Sequence, residues 1–307
     1  MNRFSPFSIL FSFKPRTIYV ANHHSQEIRH NSSSGGAFYA IASYVLSQNG
    51  IVIGAAYRGT DVEHIAISDK SELWKLQKSK YAPSSLKNIN MDNLLDLGKL
   101  VMFSGTPCQV KGIAKKYRHH KNLLLLEIAC HGVPNKKDYD NYIRENDIVK
   151  IDFRCKKNGW KNNLIELTHS DGSIVYEKAI ENSFYQDFIS GKNIRKGCFT
   201  CQSKYFSSGA DFTVADAWGV NDFAPKLDDD IGSSIIVAHT KQSKRIWSKI
   251  KQNFLCQKVS LREAIRYNAN ILRPERSQRL FIERIDPYLC FLMSILKKFK
   301  SFITKLF

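Results

Sequence analysis

No stretch of this sequence is long and apolar enough to cross a bilayer as a helix, so a spanning segment is not expected. The one apolar run near the N-terminus, Ile9 to Phe13, is short, follows Pro6 and leads into Lys14-Pro15 without a small-residue cleavage site, which argues against a signal peptide. An even, regularly spaced cysteine framework is missing too: the seven cysteines are unevenly placed and the first is Cys108. A secreted disulfide scaffold is therefore excluded, and a cytoplasmic chain whose thiols hold metal or do redox chemistry is expected. Acid is scarce, with 28 Asp+Glu against 46 Lys+Arg and a net charge of +18. Most of the excess, +12, sits in residues 241–307, whereas a protein that tracks a phosphate backbone would spread it along a groove, so no nucleic-acid partner is expected. Internal repeats, a Walker loop and the Rossmann glycine pattern are absent as well.

What the 307 residues do contain is core material: 43% are hydrophobic and 12% aromatic, enough for one large domain or two modest ones and incompatible with disorder, collagen or a coiled coil. Thr17 to Ala21 reads as a strand, Ala37 to Leu46 as a helix and Ile51 to Ala56 as a buried strand. A second such unit runs from Leu100 through a helix ending near Tyr117 to the apolar strand Leu123 to Ile128. Alternating segments at Leu164 to Thr168 and Ser173 to Tyr176, around Asp171-Gly172, predict a hairpin, and Asp211 to Ala215 a further strand. Beyond Thr240 the pattern turns helical. The expected fold is thus α/β, a mixed and largely parallel sheet body with an antiparallel section and a helical C-terminal region.

This divides the chain into an N-terminal extension (1–16), a body (17–240), a basic helical region (241–286) and an amphipathic terminal helix (287–307). In the last, Leu292, Ile295, Leu296, Phe299, Phe302, Ile303 and Leu306 form one helical stripe, with Lys297, Lys298 and Lys305 away from it. Such a stripe either rests peripherally on the inner, anionic face of a membrane or packs on protein; the pattern serves both.

Cys108 and Cys130 each follow the end of an apolar strand, and one helix joins the two strands. A right-handed crossover places both thiols at one carboxyl edge of a parallel sheet, where open α/β sheets bind ligands; free cysteines also serve as small buried hydrophobes. Cys198 and Cys201, two residues apart, can grip one metal centre from a single turn, and also fit a dithiol redox pair. Four thiolates suit an iron-sulfur cluster or a tetrahedral zinc, and spacing does not choose. Ser32 to Gly36 at a helix start offers hydroxyls, free N–H groups and close backbone approach, which serve a phosphate seat or simply a capped helix. Asp228-Asp229-Asp230 could form a metal-carboxylate site of a membrane-associated sugar-processing enzyme, or a polar turn after Pro225.

Seven ordered motifs go beyond these separate readings. Asn31 to Phe38 (NSSSGGAF), Ser79-Lys80-Tyr81, Phe103 to Gln109 (FSGTPCQ), Ala129 to Pro134 (ACHGVP), Phe153-Arg154 with Gly159-Trp160, Cys198-x-x-Cys201 and Ala215 to Gly219 (ADAWG) occur in this order. Over residues 17–270 the chain resembles the coenzyme F-420 hydrogenase/dehydrogenase beta-subunit family. The resemblance implies an iron-sulfur flavoprotein oxidoreductase that passes electrons between a 4Fe-4S cluster, bound FAD and a further redox partner, which in archaeal relatives is the deazaflavin F-420. Carried over by position, it implies Cys108, Cys130, Cys198 and Cys201 as cluster ligands. It also implies a flavin site made of Ser33, Ser34, Gly35 and Gly36, Ser79, Lys80 and Tyr81, and Thr106, Pro107 and Gln109, with Lys80 supplying positive charge near a reduced flavin. No catalytic residue is assigned.

The chain departs from that pattern in places. Many relatives carry an N-terminal ferredoxin-like segment with its own cysteines, which is missing here, so electrons are expected from an electron-donor protein or a soluble redox carrier. Cys155 stands where the family often has an acid, and Cys155, Cys256 and Cys290 read as filler. Bacterial relatives are linked with surface-polysaccharide gene clusters, and many hosts lack F-420, so the substrate stays open. A zinc-stapled basic binding module without redox activity is the competing expectation.

Overall fold

Two strands that open on apolar runs, Val101–Gly105 and Leu123–Ile128, lie side by side in the middle of a nine-stranded sheet and organise everything around them. Their alternate residues face opposite ways, so Met102 and Leu124 enter one core and Phe103 and Leu125 the other. The computed structural model describes residues 17–268; the terminal stripe at 287–307, the extension at 1–16 and Cys290 lie outside the described residues.

In chain order the strands are β1 (Thr17–His23), β2 (Ile51–Arg58), β3 (Asp61–Ile67), β4 (Ser84–Ser85), β5 (Val101–Gly105), β6 (Leu123–Ile128), β7 (Ile148–Cys155), β8 (Leu164–His169), β9 (Ile174–Lys178), β10 (Phe212–Asp216), β11 (Ser234–Ala238) and β12 (Phe254–Lys258). Helices α1 (Gln26–His30) and α2 (Ala37–Ser47) follow β1. Then come α3 (Met91–Asp96), α4 (Pro107–Tyr117), α5 (Lys136–Glu145), α6 (Ser183–Ile189), α7 (Val220–Phe223), α8 (Lys241–Ile250) and α9 (Leu261–Arg266).

The large sheet runs β12-β1-β11-β10-β6-β5-β2-β3-β4, with β10, β6, β5 and β2 mutually parallel and antiparallel pairs at both flanks. Helices α2 and α8 supply Ile41, Val45, Ile246 and Trp247 to one face. The other face is covered by α3 and α4 through Met91, Leu95, Val110 and Tyr117. A three-stranded antiparallel sheet, β7-β8-β9, is the expected antiparallel section, and its hairpin turns at Gly172, where φ is +82°. It packs with Tyr139 of α5 and Phe184 of α6 in a core of its own.

The mixed α/β class with an antiparallel section is as read from the sequence; two details differ. Strand β1 does not pair with β2: α2 carries the chain across the sheet, and β1 instead sits between β11 and β12. Residues 254–258, within the stretch read as helical, form β12, which closes the sheet edge against β1 while α8 and α9 flank it in sequence.

Candidate functional site

The carboxyl ends of β5, β6 and β10 open onto one cavity of about 450 Å³. Its walls are the Ser32–Ser34 loop, the segment 76–82, the Thr106 turn, the 128–134 loop and the strand end at Asp216. Gly105 ends β5 and Thr106 caps α4, with Pro107 in the first helical position, where a missing N–H costs nothing. Gln109 folds back so that its Oε1 accepts from the Thr106 N–H at 3.0 Å, while its Nε2 donates to Ser84 at 2.9 Å. This fixes the turn that presents Cys108, whose Sγ lies 3.2 Å from the Thr106 hydroxyl.

Cys130 follows β6 in the neighbouring loop. Backbone bonds from Arg195 to Val133 (2.9 Å) and from Asn135 to Asn193 (2.8 Å) zip this loop to the segment that leads into the Lys196–Thr200 turn, and so bring Cys198 and Cys201 alongside. Lys111 of α4 closes the other side by donating to the Gln202 carbonyl at 2.9 Å. Burial pushes the Cys130 thiol up to about 12; Lys204 pulls it down, and Cys108, Cys198 and Cys201 each push it further up. The four thiols therefore share one electrostatic environment. Cys108 and Cys130 line the cavity itself. Among the described residues, no three His, Cys, Asp or Glu side chains stand where they would close on a metal ion.

The serine loop is held from behind. Its carbonyls are used up: Ser33 O accepts from Arg154 at 3.1 Å, Ser34 O from Lys156 at 3.0 Å, and Gly35 O from the His23 N–H at 2.9 Å. Its N–H groups are not: Gly35 N donates to Ser234, but those of Ser33, Ser34 and Gly36 find no acceptor among the described residues. Helix α2 starts at Gly36 with no side-chain cap. Gly35 is jammed against the sheet, where a Cβ would sit on the Ala21 carbonyl and 2.6 Å from Ser234 N, and Gly36 has φ +87°. The two glycines thus set the loop's shape.

Of the flavin-site residues named from the sequence, Ser33, Ser34, Gly36, Ser79, Lys80, Tyr81, Thr106 and Gln109 line the cavity, whereas Gly35 and Pro107 stand behind it. Ser79 and Ser33 join hydroxyls at 2.8 Å. Lys80 is turned back onto the carbonyls of Gln77 (2.7 Å) and Lys78 (3.2 Å), and desolvation lowers its pKa to about 8 against the opposing pull of Asp152. Tyr81 stacks on Phe188, 4.8 Å between ring centroids.

The sequence reading assigned no role to several groups at this site. Arg154, from β7, reaches across to Asp216 at the end of β10 (2.7 Å) and also donates to Tyr81. Burial works to lower the Arg154 pKa, but Asp216 and Tyr81 outweigh it and hold it above the usual value. Trp218 lines the cavity, with Trp160 stacked behind it at 4.7 Å and the Arg154 guanidinium over its ring. Lys156, buried beside Arg154, pins Arg29 O, Ser34 O and Ile231 O. Strand β7 also carries Lys150 and Asp152, so no local pattern marks Arg154 as the buried member; its burial comes from packing against distant elements. The Asp228–Asp230 cluster is a structural turn: Lys161 takes Asp228, Arg29 takes Asp229 with two bonds, and Asp230 receives the Lys161 N–H. Cys155 is buried beside Glu166, and Cys256 lies against the main core.

Two family models cover most of the described chain: coenzyme F420 hydrogenase/dehydrogenase beta subunit N-term over residues 18–89, and the C terminus of the same subunit over residues 98–263. The chain belongs to the coenzyme F420 hydrogenase/dehydrogenase beta-subunit family. Membership in this beta-subunit family supports an oxidoreductase role. A chain of the F420-reducing [NiFe] hydrogenase complex from Methanosarcina barkeri, from a xenon-derivatization study, shares the fold with a TM-score of 0.58 at 17% identity, over 87% of this chain and 91% of that one. No curated protein matches the sequence. Among the described residues, no helix is long and apolar enough to cross a membrane.

Proposed function

We propose that this beta-subunit homologue is an iron-sulfur flavoprotein, with a 4Fe-4S cluster on Cys108, Cys130, Cys198 and Cys201 and FAD in the adjoining cavity. One observation carries the reading: Cys108 and Cys130, from two neighbouring strand ends, line the cavity at the carboxyl edge of the sheet, and backbone bonds zip the turn that carries Cys198 and Cys201 alongside them. The donor set suits a cluster in kind, four cysteine thiolates being its usual ligands, and binding would have to displace the proton that burial holds on Cys130. The cavity fits a flavin dinucleotide in chemistry: free N–H groups of the serine loop and the start of α2 suit a pyrophosphate, and Tyr81 and Trp218 offer apolar walls. When bound, such cofactors couple two-electron hydride chemistry to one-electron transfer.

The chain's own contribution is placement and charge. Arg154 and Lys156 hold the serine loop by its carbonyls, so that its N–H groups stay turned to the ligand. Lys80, lowered to about 8, holds a titratable positive charge in the wall. The Phe188 and Tyr81 rings keep water from that side. A setting in surface-polysaccharide metabolism, and the identity of the second redox partner, rest on the family resemblance alone. The test is flavin release: anaerobically purified protein, denatured by heat, should yield FAD in near-stoichiometric amount. A colourless, zinc-containing protein without flavin would support the zinc-stapled module instead.

A further inference from the structure

A second cavity, of about 390 Å³, opens along helix α2 and shares no lining residue with the first. Tyr39, Ser43 and Tyr44, at i, i+4 and i+5 on one face of α2, form one wall. His23 at the end of β1, Lys70 at the start of the turn Lys70–Leu76 and Lys249 in the last turn of α8 stand around it. Neither Asp nor Glu lines it. The acids that flank Lys70 in sequence are engaged elsewhere: Asp69 accepts the Ser71 N–H at 2.8 Å, and Glu72 pairs with Lys75 at 2.6 Å. Lys70 and Lys249 are exposed and have no ion pair among the described residues; their ammonium groups lie 5.8 and 5.7 Å from the ring centroids of Tyr39 and Tyr44. His23 accepts the Ser25 N–H on Nδ1 at 3.1 Å, which leaves its ring proton on Nε2 as a donor. Burial first, then the positive charges of His24, Arg29 and Lys70, lowers its pKa, so the ring is neutral in a field of cations. The Ser43 hydroxyl is shielded from solvent and has no partner among the described residues, although a helical serine can donate to the carbonyl four residues back. Such an orphaned group needs a partner from outside the chain.

We infer that this cavity binds a small phosphate monoester built on a planar ring, its phosphate held by Lys70 and Lys249 with the Ser43 hydroxyl as a further donor. Two ammonium groups without acids match a dianion, where a single carboxylate would answer only one of them, and the oxygens of a phosphate can accept from ammonium and hydroxyl groups together. A bare phosphate would leave most of the cavity empty. The rings of Tyr39 and Tyr44, with Ile28 and Ile250, supply apolar walls for a ring attached to it. The site backs onto the serine loop, since a Cβ at Gly36 would lie 3.0 Å from His23 Cβ and 3.2 Å from Ile28 Cγ2. Binding there involves neither the thiols nor a flavin, so the site stands or falls apart from the redox reading.

The test is titration calorimetry of the full chain in phosphate-free buffer, with phenyl phosphate, inorganic phosphate and phenol as probes. Phenyl phosphate should bind at least about tenfold more tightly than inorganic phosphate, and phenol should give no binding heat. Lys70→Gln/Lys249→Gln should weaken phenyl phosphate at least about tenfold, whereas the equal charge change Lys241→Gln/Lys244→Gln, at exposed positions of α8 outside the cavity, should alter it less than about twofold. Ser43→Ala should weaken it at least about threefold yet leave the melting temperature of the free chain unchanged or higher, because the hydroxyl it removes holds nothing there. A serine that only fills space would move neither reading, and phenyl phosphate bound as well by Ser43→Ala as by the parent overturns the proposal. So do binding that survives the loss of Lys70 and Lys249, which would place the ester at the serine loop, and equal loss in the two lysine variants, which would mark unspecific charge attraction. Inorganic phosphate bound as tightly as the ester, an adventitious ion only, overturns it too.

Discussion

Arg154 and Asp216 form an ion pair, 2.7 Å long, that ties the small antiparallel sheet to the carboxyl end of the central strand β10. The Arg154 side chain is 3% exposed and its second nitrogen holds the Ser33 carbonyl, so one buried cation fixes two walls of the cavity at once. The partners are 62 positions apart, and the chain between them includes both cysteines of the Cys198 turn.

Removing the carboxylate should therefore be costly. Asp216→Asn leaves a buried guanidinium without its counter-charge and is expected to destabilise the fold by about 3 kcal/mol in urea unfolding, near the low end for broken buried pairs because Asp216 is partly exposed. The double replacement Arg154→Met/Asp216→Leu should recover most of that loss. A single variant as stable as the parent would show that the pair carries no structural weight.

Lys156 gives stability a pH dependence with a definite sign. Burial first, then Arg154, with Arg29 and Lys78 adding, lowers its pKa from 10.5 to about 7. Between these values the unfolded chain holds a proton that the folded chain has lost, so folding stability rises as pH rises. Lys156 alone should contribute a slope approaching about 1.4 kcal/mol per pH unit above pH 7, to which Lys80, lowered to about 8, adds in the same sense as pH rises further. Lys156→Gln should therefore reduce the slope most between roughly pH 7 and 8. A parent protein that loses stability over this interval contradicts the assignment.

Gly35 and Gly112 should respond in opposite ways to the same added methyl group. Gly35→Ala drives a Cβ into the Ala21 carbonyl and the Ser234 backbone, which must move the serine loop, lower the melting temperature and weaken cofactor retention. In α4, a Cβ at Gly112 meets nothing within 4 Å, so Gly112→Ala should stabilise by about 0.5–1 kcal/mol. Differential scanning calorimetry of the two variants reads both effects.

What could be read from the sequence was local. Leu123–Leu126 announces itself because a stretch buried on both faces is apolar at every position, and from the strand's end the position of Cys130 follows. The hairpin at Gly172 follows from alternation around a turn dipeptide. Strand β12 escaped because an edge strand with Leu255 exposed and a lysine at its end has too few buried positions to show a period. The place of β1 escaped for a different reason: its partners, β11 and β12, lie more than 200 residues away, and no local pattern encodes that adjacency. Arg154 with Asp216, and Lys156 with three carbonyls, are likewise products of long-range packing.

The cysteines should separate cleanly by role. Cys198→Ser should remove most of the broad visible absorption of anaerobically purified protein, because Cys198 stands in the shared environment of the four thiols. Cys256→Ser, in an edge strand against the core, should leave the spectrum intact. Identical spectra for the two variants would remove Cys198 from the ligand set.

The most direct test is a metal, sulfide and flavin analysis of one anaerobically purified sample. The account predicts about four iron and four sulfide per chain together with about one FAD, the content of a single thiolate-held cubane beside a flavin. Zinc in place of iron, with no flavin retained after reconstitution, would contradict it.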